Sequence, residues 1–123
     1  MLLVDKPGAT QTYFWLGNIG ASRTDAARTA QSVVNTVFGG RFTSMLNDAL
    51  RVNSGLTYGA GSGIQLNRLP GAITIRSFTK TETTVQAIDM ALAVLRKLRE
   101  KGLDAAMLSS AKKYVKGTFP IQN

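Results

Sequence analysis

The apolar period of this chain changes once between Tyr58 and Gly102, and that change confines the fold. Ile73 and Ile75 alternate with Thr74 and Arg76, the two-residue period of a strand with one buried face. Arg68-Leu-Pro-Gly71 before them has turn chemistry, and 58–67 before the turn is extended and glycine-interrupted. Segments 58–67 and 72–79 are therefore expected to form an antiparallel hairpin. From Thr83 the period lengthens. Thr83 to Gln86 has the spacing of a capping box, and Val85, Ile88, Leu92, Leu95 and Leu98 recur at helical spacing up to Gly102, a helix-terminating glycine.

The rest of the chain extends this pattern. Residues 10–16, TQTYFWL, read as a strand. After Gly17, Gly20 and Ser22, the Ser22–Asp25 spacing resembles a cap for a helix carrying Ala27, Ala30, Val33, Val34 and Val37. Gly39-Gly40 stops that helix. A short helix from Ser44 places Leu46, Ala49 and Leu50 on one face and ends at Gly55. Asp104 caps a last helix, with Leu108, Ala111 and Val115 inward and Lys112, Lys113 and Lys116 outward. The order is β-α-α-β-β-α-α. It implies an α+β fold of two layers, a small, mostly antiparallel sheet with helices on one face.

Missing residue types narrow the function. The chain has no cysteine and no histidine among its 123 residues. Disulfides and thiolate metal sites are excluded, as is a serine-histidine-aspartate triad, and a zinc hydrolase centre would lack its usual ligands. The formal charge of +8 favours acidic partners without naming them. No apolar run approaches the ~18 residues of a membrane span, and nothing in the sequence assigns a compartment.

Three candidate sites read as structure. Gly59-Ala-Gly-Ser-Gly63 follows a helix instead of preceding one, so it offers no helix N-terminus to a phosphate; its small residues suit close packing. Arg96, Lys97, Arg99, Lys101, Lys112, Lys113 and Lys116 fall on outward helix faces, and no nucleic-acid-binding motif accompanies them. Tyr13, Phe14 and Trp15 alternate across a strand, so they form no continuous stacking platform; one face is core and the other surface or interface.

Arg51 and Tyr58 remain, on either side of the Ser54-Gly55 break. The spacing allows two readings. Arg51 is a solvated cation at a helix C-terminus and Tyr58 a half-buried ring, or the turn brings both polar tips to one surface, where a phenol and a guanidinium can donate to a carbonyl.

The stretch GGRFTSMLNDALRVNSGLTYG, Gly39–Gly59, resembles the pitrilysin (insulinase, mitochondrial-processing-peptidase-like) zinc metallopeptidase family, and within it the second, C-terminal homologous domain. The matching features are a glycine pair, a serine-x-leucine helix, Leu-Arg and Gly-Leu-x-Tyr. Leu3–Pro7 and Lys112–Pro120 extend the likeness over most of the chain. Met45 and Val52 depart from the residues common in the family, arginine and glutamate. The resemblance implies two tandem α/β domains closing on an extended peptide. The N-terminal one binds zinc through an H-x-x-E-H motif, and the C-terminal one binds no metal. It implies no cofactor in this chain, zinc in the partner domain or subunit, Arg51 as a grip on the substrate backbone, and Tyr58 as a donor to the scissile carbonyl.

The reading that follows takes residues 1–123 as one domain of this C-terminal type, expected to be truncated at its C-terminal end and inactive alone. Its expected role is to bind peptide through Arg51 and Tyr58 beside an H-x-x-E-H partner. Self-association through an exposed edge is a further expectation. A silent scaffold of the same fold is the alternative, and a basic nucleic-acid binder the weaker one.

Overall fold

The computed structural model describes residues 1–122; Asn123 lies outside them. The alternation at Ile73 and Ile75 becomes the centre of an antiparallel sheet. Strands β1 (Gln11–Ile19), β2 (Ala60–Ile64) and β3 (Ala72–Lys80) lie in the order β1-β3-β2. Helix α1 (Arg28–Asn35) runs into a π-helical turn at Thr36–Gly40. Helix α2 (Met45–Asn47) runs into a second at Asp48–Asn53. Helices α3 (Thr84–Lys101) and α4 (Ala105–Gln122) follow the sheet.

One face of the sheet is covered. Partners in an antiparallel ladder share a face. Phe14 pairs with Ser77, which pairs with Ala60; Leu16 pairs with Ile75, which pairs with Ser62. Ile75 meets Phe38, Leu46 and Leu50 from the two π-ended helices and Ala91 and Val94 from α3, forming the buried core. The other face carries Tyr13, Trp15, Arg76 and Phe78 and has no helix laid over it among the described residues.

Several local expectations are corrected. Helix α1 begins at Arg28, because Asp25 Oδ1 accepts from Ala27 N (2.7 Å) and Ser22 Oγ pairs with Thr24 Oγ1 (3.1 Å), which uses both groups in a preceding turn. Ala30 and, just before the helix, Ala27 are exposed, and Val37 in the π-helical turn is buried. The expected Thr83–Gln86 cap does not form. Thr83 Oγ1 donates to Lys80 O (3.1 Å) and pairs with Thr79 Oγ1 (2.6 Å), and the chain enters α3 through a 3₁₀ turn at Thr81–Thr83. The expected stripe of α3 is split: Leu95 and Leu98 pack against the core and Ile88 is half-buried, but the helix is rotated away from Val85 and Leu92. Ala87, Ala91 and Val94 face inward, while Val85 is 71% exposed and Leu92 also faces out. Small alanines let the helix lie close on the sheet, and close approach outweighs the area of Val85 and Leu92. In α4, Asp104 Oδ1 caps Met107 N (2.8 Å) and Ala111 is buried as expected, but Leu108 is exposed. The three lysines face out, and the helix continues through Pro120.

The sheet's two edges differ. Gln65 N donates to Ala72 O (2.9 Å). The alternation of an antiparallel ladder then aims the Ala60 N–H away from β3, toward the outer edge of β2. There it meets Asn47 Oδ1 at 3.2 Å, and Asn35 meets Ser62 through Ser62 Oγ to Asn35 Oδ1 (2.6 Å). Side-chain amides thus blunt this edge. By the same alternation, starting from Thr81 N to Thr10 O (3.1 Å), the outer edge of β1 presents the backbone groups of Tyr13, Trp15 and Gly17 with no strand alongside among the described residues.

Candidate functional site

Arg51 lies within the second π-helical turn, which ends at Asn53 just before the Ser54-Gly55 break. Gly55 adopts φ +63° and its N–H reaches Arg51 O at 3.1 Å. Leu50 O then accepts from Leu56 N (2.9 Å) and Thr57 N (3.3 Å), and Ser54 Oγ adds a bond to it at 3.0 Å. These bonds reverse the chain within a few residues and satisfy carbonyls that a helix end leaves open. Only a residue tolerant of positive φ fits at position 55.

After the turn, Thr57 is buried. Its Oγ1 donates to Gly59 O (3.0 Å) and accepts from Ser77 Oγ (3.2 Å). The backbone on either side of Tyr58 is therefore fixed to the sheet while the ring points outward, 83% exposed. These bonds also explain why β2 begins at Ala60 and not at the expected residue 58. The Tyr58 ring lies 6.4 Å from Phe78, which stacks on Tyr13 at 5.4 Å. Arg51 is half-buried, with its guanidinium 4.6 Å from the centre of the Phe42 ring, a cation–π contact.

Phe42 and Phe78 line the same cleft, a volume of about 550 Å³ on the open face of the sheet. Arg51 and Tyr58 thus each pack on an aromatic wall of one depression. The phenol lines a second depression, of about 400 Å³, beside Phe78, Thr79 and Lys80. Sequence reasoning missed most of the cleft. Tyr13 and Trp15 do share a face, as residues two apart in a strand must, and Phe78 joins them from β3. Gly59, Gly61 and Gly63 also share that parity, so β2 presents bare backbone there. The odd-numbered spacing was visible, but the pairing of Tyr13 with Phe78 and of Gly61 with Arg76 was not.

The far wall is braced by Arg41 and Asn47. Arg41 reaches Thr43 O (3.1 Å) and Ser110 Oγ (3.0 Å), and its guanidinium lies 5.6 Å from the Tyr114 ring centre, tying the Gly39–Phe42 segment to α4. Buried Asn47 donates to Phe42 O at 2.7 Å and accepts from Ala60 N, joining this wall to the floor. Gly39 is sterically required. A Cβ there would lie 2.6 Å from Ser62 N and Ser62 Oγ and 2.7 Å from Leu46 Cδ1.

Arg96, Lys97, Arg99, Lys112, Lys113 and Lys116 are all exposed on α3 and α4, and none lines the cleft. Among the described residues there is no group of three acidic, histidine or cysteine side chains that could hold a metal, and no helix long and apolar enough to cross a membrane.

Comparison with known proteins supports the resemblance read at Gly39–Gly59. The family model described as the peptidase M16 inactive domain matches residues 2–115. The peptidase M16 inactive domain from Pseudomonas fluorescens is 28% identical and superposes with a TM-score of 0.86, over 89% of this chain and 27% of that one. A protease from Helicobacter pylori shares the fold, with TM-score 0.85 at 20% identity, over 94% of this chain and 28% of that one. A curated relative from Helicobacter pylori (strain ATCC 700392 / 26695), the non-peptidase homolog YmxG, is 28% identical over 91 residues, 74% of this chain and 21% of its own length. The chain thus spans 21–28% of the length of these relatives. With its two-layer α+β fold and a family match over nearly its whole length, the chain belongs to the peptidase M16 inactive-domain family.

Proposed function

We infer that this chain is the substrate-holding half of an M16 assembly and binds peptide at the cleft flanked by Arg51 and Tyr58. One observation carries the reading. The Tyr58 backbone is fixed by Thr57 and Ser77, yet its ring is 83% exposed, and its hydroxyl has no hydrogen-bond partner among the described residues. An oriented, unspent donor at the rim of a cleft suits a ligand carbonyl. Arg51, held over Phe42, supplies a second donor set on the other wall.

The chain's own residues do not fit a zinc site, having no histidine, no cysteine and no clustered carboxylates among the described residues. Water activation is therefore assigned to a partner domain or subunit of the H-x-x-E-H type. This chain's contribution is to orient the peptide and donate to its carbonyl. The alternative is a scaffold without a proteolytic role, supported by a relative that bears the name non-peptidase homolog.

Steady-state kinetics of the intact assembly separate the two. If Tyr58 donates to the developing oxyanion, Tyr58→Phe lowers kcat by roughly 10²–10³-fold with little change in KM. Arg51→Ala raises KM as well, because a backbone grip acts in ground and transition states alike. Unchanged kinetics in both variants would leave the scaffold reading standing.

A further inference from the structure

We propose that the open-face cleft selects peptide segments in which a carboxylate side chain neighbours an aromatic or bulky apolar one, with Arg76 as the carboxylate's partner. The proposal rests on the peptide-binding reading above and names the ligand class for the same cleft.

The floor comes first. Gly59 and Gly61 of the β2 segment line the cleft with backbone alone. Arg76 sits directly opposite Gly61 on one side and Trp15 on the other. A Cβ at Gly61 would lie 3.2 Å from Gly39 O and 4.0 Å from Arg76 Nε, so the missing side chain lets the Gly39 backbone come close to β2, with the Arg76 side chain beside this bare stretch. Trp15, Phe78 and Phe42 form apolar walls around it.

The charge comes second. No aspartate or glutamate lines the cleft. Arg76 has no hydrogen-bond or ion-pair partner among the described residues. Arg41 is fully engaged, but with neutral groups, the Thr43 and Ser110 oxygens and the Tyr114 ring. Two guanidinium charges therefore face one aromatic depression with no counter-charge. A carboxylate there gains a bidentate partner. An adjacent aromatic ring can stack on Trp15 or Phe78.

Charge placement favours peptide over nucleic acid. A single strand needs cations spaced along its track. The remaining cluster on α3 and α4 lies on outward helix faces and does not line the cleft.

Trp15 is the only tryptophan in the chain and lines the cleft, so its emission reports occupancy. The test is a fluorescence titration of the full chain with two short blocked peptides, one with glutamates flanking a phenylalanine and the other with glutamines in their place. The glutamate peptide should bind about two- to fivefold tighter, the scale of a solvent-exposed ion pair. Arg76→Gln should abolish that preference, and Arg76→Lys should retain part of it. On the unmodified chain, raising salt from about 20 to 200 mM should weaken only the glutamate arm, a readout independent of any variant's folding. Equal binding of the two peptides would overturn the acidic preference and leave peptide binding intact. Binding of neither peptide by the folded chain would overturn peptide binding itself. A thymidine oligonucleotide binding tighter than the glutamate peptide would assign the cleft to nucleic acid instead. A Trp15 signal that changes with protein concentration alone would assign it to a second copy of the chain.

Discussion

Asn47→Ala tests whether the cleft walls are held together as described. The Asn47 side chain is buried and serves two backbone groups on different segments, donating to Phe42 O at 2.7 Å and accepting from Ala60 N at 3.2 Å. Neither group has a ladder partner that could replace it, since the Ala60 N–H points away from β3. Truncation leaves two part-buried backbone groups unmet, an acceptor at Phe42 and an edge donor at Ala60. At about 1–3 kcal/mol per orphaned group, with the edge donor at the low end because water can reach it, the loss is about 2–4 kcal/mol. Unfolding entropy of about 2.1 cal/mol/K per residue gives about 0.26 kcal/mol/K for a chain this long, so Tm should fall by about 8–15 °C. The assay is a thermal melt followed by circular dichroism, with Asn47→Leu beside it. Leucine restores the volume without the hydrogen bonds. If the amide matters for its bonds, both variants melt early; if it only fills space, Asn47→Leu recovers most of the loss. An Asn47→Ala melt within about 3 °C of the parent would refute the bridging role, being under 1 kcal/mol on this scale.

Other outcomes follow from the same contacts. Gly39→Ala places a Cβ 2.6 Å from the Ser62 backbone nitrogen, which cannot move without disturbing β2, so a loss of about 1–3 kcal/mol is expected, together with a shift in Trp15 emission as the cleft wall is displaced. Wild-type stability and an unchanged spectrum would contradict that wall's placement. Leu50→Ala, at a fully buried core position, should cost about 2–5 kcal/mol by chemical denaturation, and a smaller loss would mean the core collapses around the gap. Metal analysis after dialysis should find no stoichiometric zinc on the chain, since it has no histidine or cysteine; one retained zinc per chain would overturn the assignment of the metal to a partner.

The sequence by itself determined the fold class and the family. Two periods separated by Gly and Pro punctuation set the element order, and Gly39–Gly59 carried the likeness that the family match over residues 2–115 supports. It determined these things because periodicity and turn chemistry are local. Gly55 and Gly102 were legible for that reason, and both adopt positive φ at a helix end. Where local signals competed with packing, packing decided. Val85 and Leu92 belong to the apolar stripe of α3 yet face out, while Ala87, Ala91 and Val94 are buried, because small residues let that helix come close. The Thr83 hydroxyl had a good capping position and instead satisfied Thr79 and Lys80. The cleft belongs wholly to this second kind. Tyr13, Arg76 and Gly61 are far apart in the chain, and a one-residue slip in either strand pairing would turn the aromatic and glycine faces apart. Register, set by the buried Ile75 face and the Gly20–Gly71 and Gln65–Ala72 closures, is what assembles them, and register is a property of the tertiary structure.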